Sequence, residues 1–464
     1  MEPAILWSLR LGFSARQAEI IQKIGIADFL QKSVTASFTQ KPPDFMASEP
    51  KSLAELRQIR QQIKNTEDPD TKAMLKKQIQ NGIALKAWWI NEIQNSSFPL
   101  REKMVLFWHN HFVATQQKVK VNWWIYQHNQ LLREMAFGNF KTLTKAVLQT
   151  NAMVRYLDNV DNQRGALNEN LSRELLELFT LGIGHYTEND VKMGAKALAG
   201  LHLGEHKAQY RKRLEDPDTI TYLGKTGQLK VEDLVDCIFE QPAVPYLITR
   251  KLLQWFIYDS PPEELVTYYG DYFRSVQFEI QPLLQKILVE EFAKPTAGSK
   301  IKNPLEFILQ LHDELQISNP NENLLVFFLR QQGMDLCNQP NVKGWTGGKS
   351  WLTSQIYLQR QNACDLLCRG KELNLRVLKE LPDTVSKTKS PKEYAPKVTF
   401  NPNDTAGEIK DKMTQQLVFQ VDEELQKQVD AVLKYDFNAK DPNAQEAVMR
   451  LFLTLVKSPE FQII

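Results

Sequence analysis

The sequence predicts an all-α protein, a multi-helix globular body with a small β-hairpin insertion and a C-terminal helical pair. Three observations predict it. Apolar residues recur at i, i+3 and i+4 in segment after segment of the 464-residue chain. Strand signals are sparse, the best of them over residues 219–231. No regular alternation of strand and helix occurs, which sets the chain apart from the nucleotide-binding α/β classes. With 42% hydrophobic residues and nine tryptophans, the chain is long and apolar enough to bury a substantial core.

The elements follow in order. An apolar stretch over 4–9 stops at Arg10. No basic segment precedes it and no small-residue cleavage site follows, so no signal peptide is visible; the chain reads as cytoplasmic, or as exported if a leader has been removed. Residues 52–97 carry two long helices separated by the Asp68-Pro69-Asp70 turn, with Trp88, Trp89 and Ile90 anchoring the second one inward. Further helices are predicted near 101–116, 121–136, 140–149, 168–181 and 187–200, the last capped by Thr187 with Asp190 three residues on. The segment TITYLGKTGQLKV, residues 219–231, forms a hairpin through its Gly-Lys-Thr-Gly. A second helical block covers 231–240, 243–258, 262–275, 282–291, 304–315, 322–332 and 354–369. Several of its helices begin at or just after proline, whose fixed φ and missing N–H suit a first helical turn.

This order gives a core over 1–370, with helical lobes at about 1–200 and 231–370 and the hairpin insertion at about 205–230. A stretch rich in Pro, Lys, Ser and Thr within 371–407 reads as a linker or surface excursion. Helices over 408–434 and 442–457 then pack back on the core, because Phe452, Leu453, Leu455 and Val456 form a face too apolar to leave in water.

Composition excludes several function classes. Fifty-seven basic residues against 55 acidic ones leave a net charge of +2, which supplies no general attraction to nucleic acid or an anionic membrane. No apolar run reaches the ~20 residues a spanning helix needs. The four cysteines, Cys237, Cys337, Cys364 and Cys368, are too few and too scattered for a disulfide framework, and no further Cys or His pair completes a zinc site with Cys364 and Cys368.

The chemistry concentrates in two helices and a loop. In NENLSRELLELFTLGIG, residues 168–184, the apolar positions cover well over half of the helix circumference at ~100° per residue, and Glu174 falls within that arc between Leu178 and Leu181. A carboxylate there needs a cation, a metal or several donors, or it keeps its proton. Arg173 and Glu177 sit on the adjoining face. The segment 102–115 is apolar nearly all round, and His111 projects with Met104, Trp108 and Thr115. His109 points about 160° away, so the two histidines cannot chelate one ion from a regular helix, and the string His-Asn-His carries no nuclease meaning. His111, Asp158, Arg173, Glu174 and Glu177 are therefore expected to converge in one buried polar cluster. His111, Glu174, Glu177 and Arg173 are the catalytic candidates; His111, Asp158, Glu174 and Glu177 are the candidate ligands of a divalent metal. A core histidine holding a carboxylate as a structural ion pair accounts for the same residues without chemistry.

The loop PNVKGWTGGKSW, residues 340–351, ends similarly to a phosphate-binding Walker loop, but Lys343 stands where that motif needs glycine and no strand precedes it. Asn341, Lys343 and Trp345 remain binding candidates, able to offer an anion contact and a flat apolar face. Core packing by Trp345 and Trp351 is the simpler account of the same loop.

Several motifs recur together. Leu11-Gly12-Phe13, Glu102-Lys103-Met104, residues 107–112 (FWHNHF), Tyr156-Leu157-Asp158-Asn159, NENLSRELLELFTLGIGHYTENDV, residues 302–307 (KNPLEF), residues 340–345 (PNVKGW) and Ser458-Pro459-Glu460-Phe461 appear in an order that resembles the bacterial domain of unknown function 1800 family from end to end. The resemblance implies a mostly helical protein, often exported, and often encoded beside a protein similar to the phosphatase and sulfatase superfamily. Two departures stand out: no export signal is visible, and a single proline, Pro340, stands where relatives often have two. Two functions are therefore carried forward. One is a binding or accessory protein acting with that phosphatase/sulfatase-like partner, with no nucleic acid and no integral membrane segment. The other is a hydrolase or metal-dependent enzyme centred on the His111 and Glu174/Glu177 helices.

Overall fold

Helices dominate the computed structural model, which describes residues 1–66, 69–317, 322–369, 396–434 and 437–464. The predicted linker falls largely outside the described residues, over 371–395, as does Asp68 of the predicted turn. Three short helices, Pro3–Leu11, Ala18–Ile24 and Ile26–Thr35, lead into the long helices Leu53–Thr66 and Pro69–Asn95. Next comes Leu100–His111, in which every side chain except Arg101 and Asn110 is buried. It packs on the helices Ile26–Thr35 and Asn122–Glu134 and reaches the second half of the chain through Lys103 and His111; among the described residues no helix is long and apolar enough to cross a membrane.

A helix buried on nearly all faces that carries Glu102, Lys103 and His111 must satisfy these groups internally, whereas His109 is packed between the Trp89 and His128 rings. Glu102 does so with Arg133, whose Nε and Nη2 donate to its two oxygens at 2.7 and 2.8 Å, while Trp89 Nε1 adds a third bond at 3.0 Å. Lys103 reaches across the fold to Glu306 at 2.5 Å and also donates to the Gly12 carbonyl at 2.7 Å. Glu306 accepts from Lys300 as well, at 2.9 Å, and closes a capping box by accepting from the backbone N–H of Asn303 at 2.8 Å. Pro304 occupies the first turn of that Pro304–Glu314 helix, as its missing N–H allows. Burial alone would raise the Glu306 carboxyl, but Lys103 and Lys300 hold it at about 2.

The C-terminus joins the same network. Backbone bonds run from Ile464 to Lys300 and from Lys302 to Gln462, and Lys302 Nζ sits 3.8 Å from the ring centroid of Phe461. Arg360 bridges the Gln462 side chain and the Lys302 carbonyl at 2.9 and 2.7 Å. Phe452, Leu455 and Val456 are buried, and Leu453 packs half-buried against the core.

Three local differences from the sequence reading stand out. The helix predicted over 101–116 ends at His111, and the chain re-forms a short helix at Gln116–Val119. The 408–434 helix divides into Ala406–Leu417 and Glu423–Ala431, because Val418 turns extended and Asp422 starts a new helix by accepting from the Leu425 N–H at 2.8 Å. Among the described residues three α-helices, not a pair, thus follow residue 396. The predicted hairpin is present, Ile220–Tyr222 against Lys225–Gly227, with Leu223 and Gly224 at φ +46° and +86° making a two-residue turn. A second ribbon, Leu201–His202 with Gln209–Tyr210, has strands too short to leave a periodic signal.

Glu306 is predicted to be a stability keystone. Glu306→Gln leaves Lys103 and Lys300 buried without a carboxylate and should cost about 3–5 kcal/mol in denaturant unfolding. Its folded-state carboxyl lies below the ordinary 4.5, so its contribution is complete above that pH and lost as pH falls toward about 2. The variant should lack this acid-dependent share; an unfolding free energy and acid limb equal to those of wild type would disprove the keystone role.

Candidate functional site

At its C-terminal end the Leu100–His111 helix opens onto a cleft of about 780 Å³, bounded by that helix end, the Val244–Phe256 helix and the glycine-rich loop. The helix brings Phe107, Asn110 and His111; the second helix brings Lys251, Gln254 and Trp255; the loop brings Lys343 and residues 345–351. Asn110 fastens the loop, its Oδ1 accepting from the Trp345 N–H at 2.6 Å and its Nδ2 donating to the Trp345 carbonyl at 3.2 Å. Gly344 has to be glycine: φ is +80°, and a Cβ there would collide with the Asn110 carbonyl.

His111 is buried and engaged at both nitrogens. Nε2 lies 3.1 Å from the Phe179 carbonyl and Nδ1 3.1 Å from Lys251 Nζ. A carbonyl only accepts and an ammonium only donates, so the ring is a neutral imidazole with its proton on Nε2. Burial first, and the Lys251 charge second, keep its pKa well below the usual histidine value. Lys251 also donates to the Leu178 carbonyl at 2.9 Å. Part of the side chain is exposed in the cleft, but the ammonium is deeply enclosed, and burial brings its pKa down to about 8. Among the described residues no carboxylate pairs with it.

The two carbonyls that hold this pair belong to a π-helix, Leu175–Thr180, continuing the Asn170–Glu174 helix. Leu181 and Gly182 both bond back to the Leu176 carbonyl, at 2.9 and 3.1 Å, before Gly182 at φ +86° turns the chain. Leu178 and Phe179 lie in the last turn, where carbonyls need outside donors, and Lys251 and His111 supply them.

The residues expected to converge make different contacts. Glu174 is half-buried, with its carboxyl raised by burial and by Glu177 and opposed by Lys343. Glu177 accepts from Tyr186 Oη at 2.9 Å. Arg173 turns outward to Glu188 at 2.8 Å and Glu169 at 3.1 Å. Asp158 pairs with Lys118 at 2.7 Å on the other side of its turn. Arg173, Glu174 and Glu177 stay within electrostatic reach of one another, while Asp158 pairs with Lys118 and His111 meets a lysine instead of a carboxylate. Among the described residues no three His, Cys, Asp or Glu stand together so as to hold a metal ion. The donor set at His111 does not fit one either, since one nitrogen carries the proton and the other faces a cation.

The structure does bring His111, Lys343 and Trp345 into one cleft. Asn341 shapes the loop instead, its Oδ1 accepting from the Lys343 N–H at 2.9 Å. Sequence reasoning missed Lys251, Trp255, Asn110 and Asp259. A weak signal for Lys251 existed: seven residues after Val244 and three after Ile248, it lies at the edge of the buried stripe of its helix. Asp259, raised by burial and accepting from the Ile301 N–H at 3.1 Å, is the acidic side chain that lines the cleft, against Lys251, Lys343 and Lys349. Trp255 and Trp345 also line it, and their buried indole N–H groups find no acceptor among the described residues. The backbone N–H groups of Thr346 and Gly347 find no acceptor among the described residues. The arrangement is an assembly of donors and positive charge.

Residues 6–463 match the model of a family described as protein of unknown function, DUF1800. No curated protein and no solved structure matches the chain.

The loop geometry predicts a graded glycine series. Gly347→Ala has open space at φ +79° and should cost only the left-handed strain of about 1–2 kcal/mol. Gly344→Ala adds an overpacking cost of about 1–3 kcal/mol against Asn110. Unfolding free energies of the two variants check this, and equal losses would show that Asn110 does not fasten the loop.

Proposed function

The chain belongs to the DUF1800 family, and we propose that it is a binding or accessory protein whose cleft captures an anionic ligand bearing a flat or sugar-like part. The carrying observation is Lys251, a deeply enclosed ammonium at a cleft wall with no carboxylate partner. An enclosed charge is expensive unless something neutralises it, and a ligand anion would do so. Lys343, Lys349 and the unpaired loop amides add donors around the same space, while Trp255 and Trp345 offer apolar faces. This donor set suits an oxyanion such as a phosphate or sulfate group. That chemistry agrees with the phosphatase/sulfatase-like partner implied by the family resemblance, for which this protein would bind or present the ligand. The hydrolase reading centred on His111 and Glu174 has less support, because His111 is a neutral ring bonded to Lys251 and the Phe179 carbonyl.

Inorganic phosphate and sulfate should raise the melting temperature and bind measurably by calorimetry. Affinity should be greatest while Lys251 is protonated and fall as pH rises through about 8. Exposed Lys343→Ala should melt with the wild type in the absence of anion yet gain less from added phosphate. Equal gains for the two proteins, or binding indifferent to pH between 7 and 9, would remove the cleft as the anion site.

A further inference from the structure

Resting on the anion-binding reading of the same cleft, we infer a further activity: Lys251 forms an imine with a carbonyl-bearing anion of the 2-oxo acid class. The geometry supplies what this chemistry needs. The amine lines a cleft large enough for a small organic acid and stands among aromatic walls, Phe107, Trp255 and Trp345. Both of its protein contacts, the Leu178 carbonyl and His111 Nδ1, are neutral acceptors that serve a free amine as well as an ammonium. Among the described residues no carboxylate pairs with it, Asp259 being bonded to the Ile301 N–H. Buried Lys103 makes the contrast, since it is paired with Glu306 and committed to the core.

Lysine becomes a nucleophile when desolvation raises its free-amine share. With its pKa at about 8 against 10.5, Lys251 has a free-amine fraction at pH 7 roughly a few hundredfold above that of an ordinary lysine. The carboxylate of the ligand would be held by the loop donors and Lys343, presenting its carbonyl carbon to Nζ. The Nζ lone pair attacks that carbon, forming a C–N bond and moving the π electrons onto oxygen. The oxygen takes up the proton released by nitrogen. Nitrogen then loses its second proton as its lone pair forms the C=N bond, and the oxygen departs as water. One amine and one carbonyl give one imine and one water, with no oxidant or reductant.

The test uses the full wild-type chain, glyoxylate as the probe and cyanoborohydride to reduce any imine, with peptide mass spectrometry to locate the carboxymethyl adduct. Lys251 should be labelled at least about tenfold faster than exposed Lys41, Lys343 or Lys349 at pH 7. Its rate should level off above pH about 8, while ordinary lysines continue to gain reactivity toward 10.5. Excess inorganic phosphate should slow labelling of Lys251 and leave Lys41 unaffected. Adducts distributed by surface exposure, or an unlabelled Lys251, would overturn the imine. If phosphate still stabilises the protein in that case, the anion cleft survives without the covalent step; if phosphate has no effect either, both readings fall.

Discussion

The carboxylate of Glu306 is the constraint around which the remainder is arranged. One oxygen receives Lys103 and Lys300, the other receives Lys300 and the Asn303 amide, all inside the protein. Desolvating such ions costs several kcal/mol each, and the attraction offsets this only when the remaining protons and lone pairs are matched. Here they are. Lys103 spends a further proton on the Gly12 carbonyl, and the Asn303 side chain caps the amides of Leu305 and Glu306. A hydrophobic cluster tolerates small slips between elements, whereas this network permits essentially one arrangement of the N-terminal turn, the central helix and the 300–306 segment.

That arrangement sets the position of the cleft. Lys103 lies near the start of the Leu100–His111 helix, while Asn110 and His111 lie at its end, some two turns away. Anchoring one end therefore aims the other. Asn110 holds the glycine-rich loop through two hydrogen bonds, and His111 meets the Val244–Phe256 helix through Lys251. The π-helical turn completes the site by presenting two carbonyls to groups that would otherwise lack partners. Two buried lysines thereby come to similar pKa values of about 8 by different routes. For Lys103 burial outweighs the opposing pull of Glu306; for Lys251 burial acts without a carboxylate. The first is a closed structural contact, and the second leaves charge and donor capacity at a cleft wall.

Several of the motifs carrying the family resemblance prove to be parts of this internal network. Lys103 is one of its cations, with Glu102 beside it held by Arg133, residues 302–307 hold its cap and carboxylate, and Ser458-Pro459-Glu460-Phe461 places Phe461 against Lys302. The loop motif at 340–345 differs, because Asn110 fixes its backbone while Lys343 stays exposed beside the cleft.

The sequence by itself determined the all-helical class, most helix positions and the Thr187/Asp190 capping box, because periodicity and caps are local and report directly on backbone conformation. It also identified His111 and Glu174 as polar groups in apolar surroundings and singled out Lys343 and Trp345. Only the tertiary structure decided what these residues meet. A helical projection shows that a face is covered without showing by what, so His111's partner, 140 residues away at Lys251, was not legible. The projection also assumed 3.6 residues per turn, and the π-helix at Leu175–Thr180 breaks that assumption where Glu174 and Glu177 were to be aimed. Pairing across the fold is set by packing of whole elements, and that packing follows from the buried Glu306 network, whose members lie about 200 residues apart in the chain.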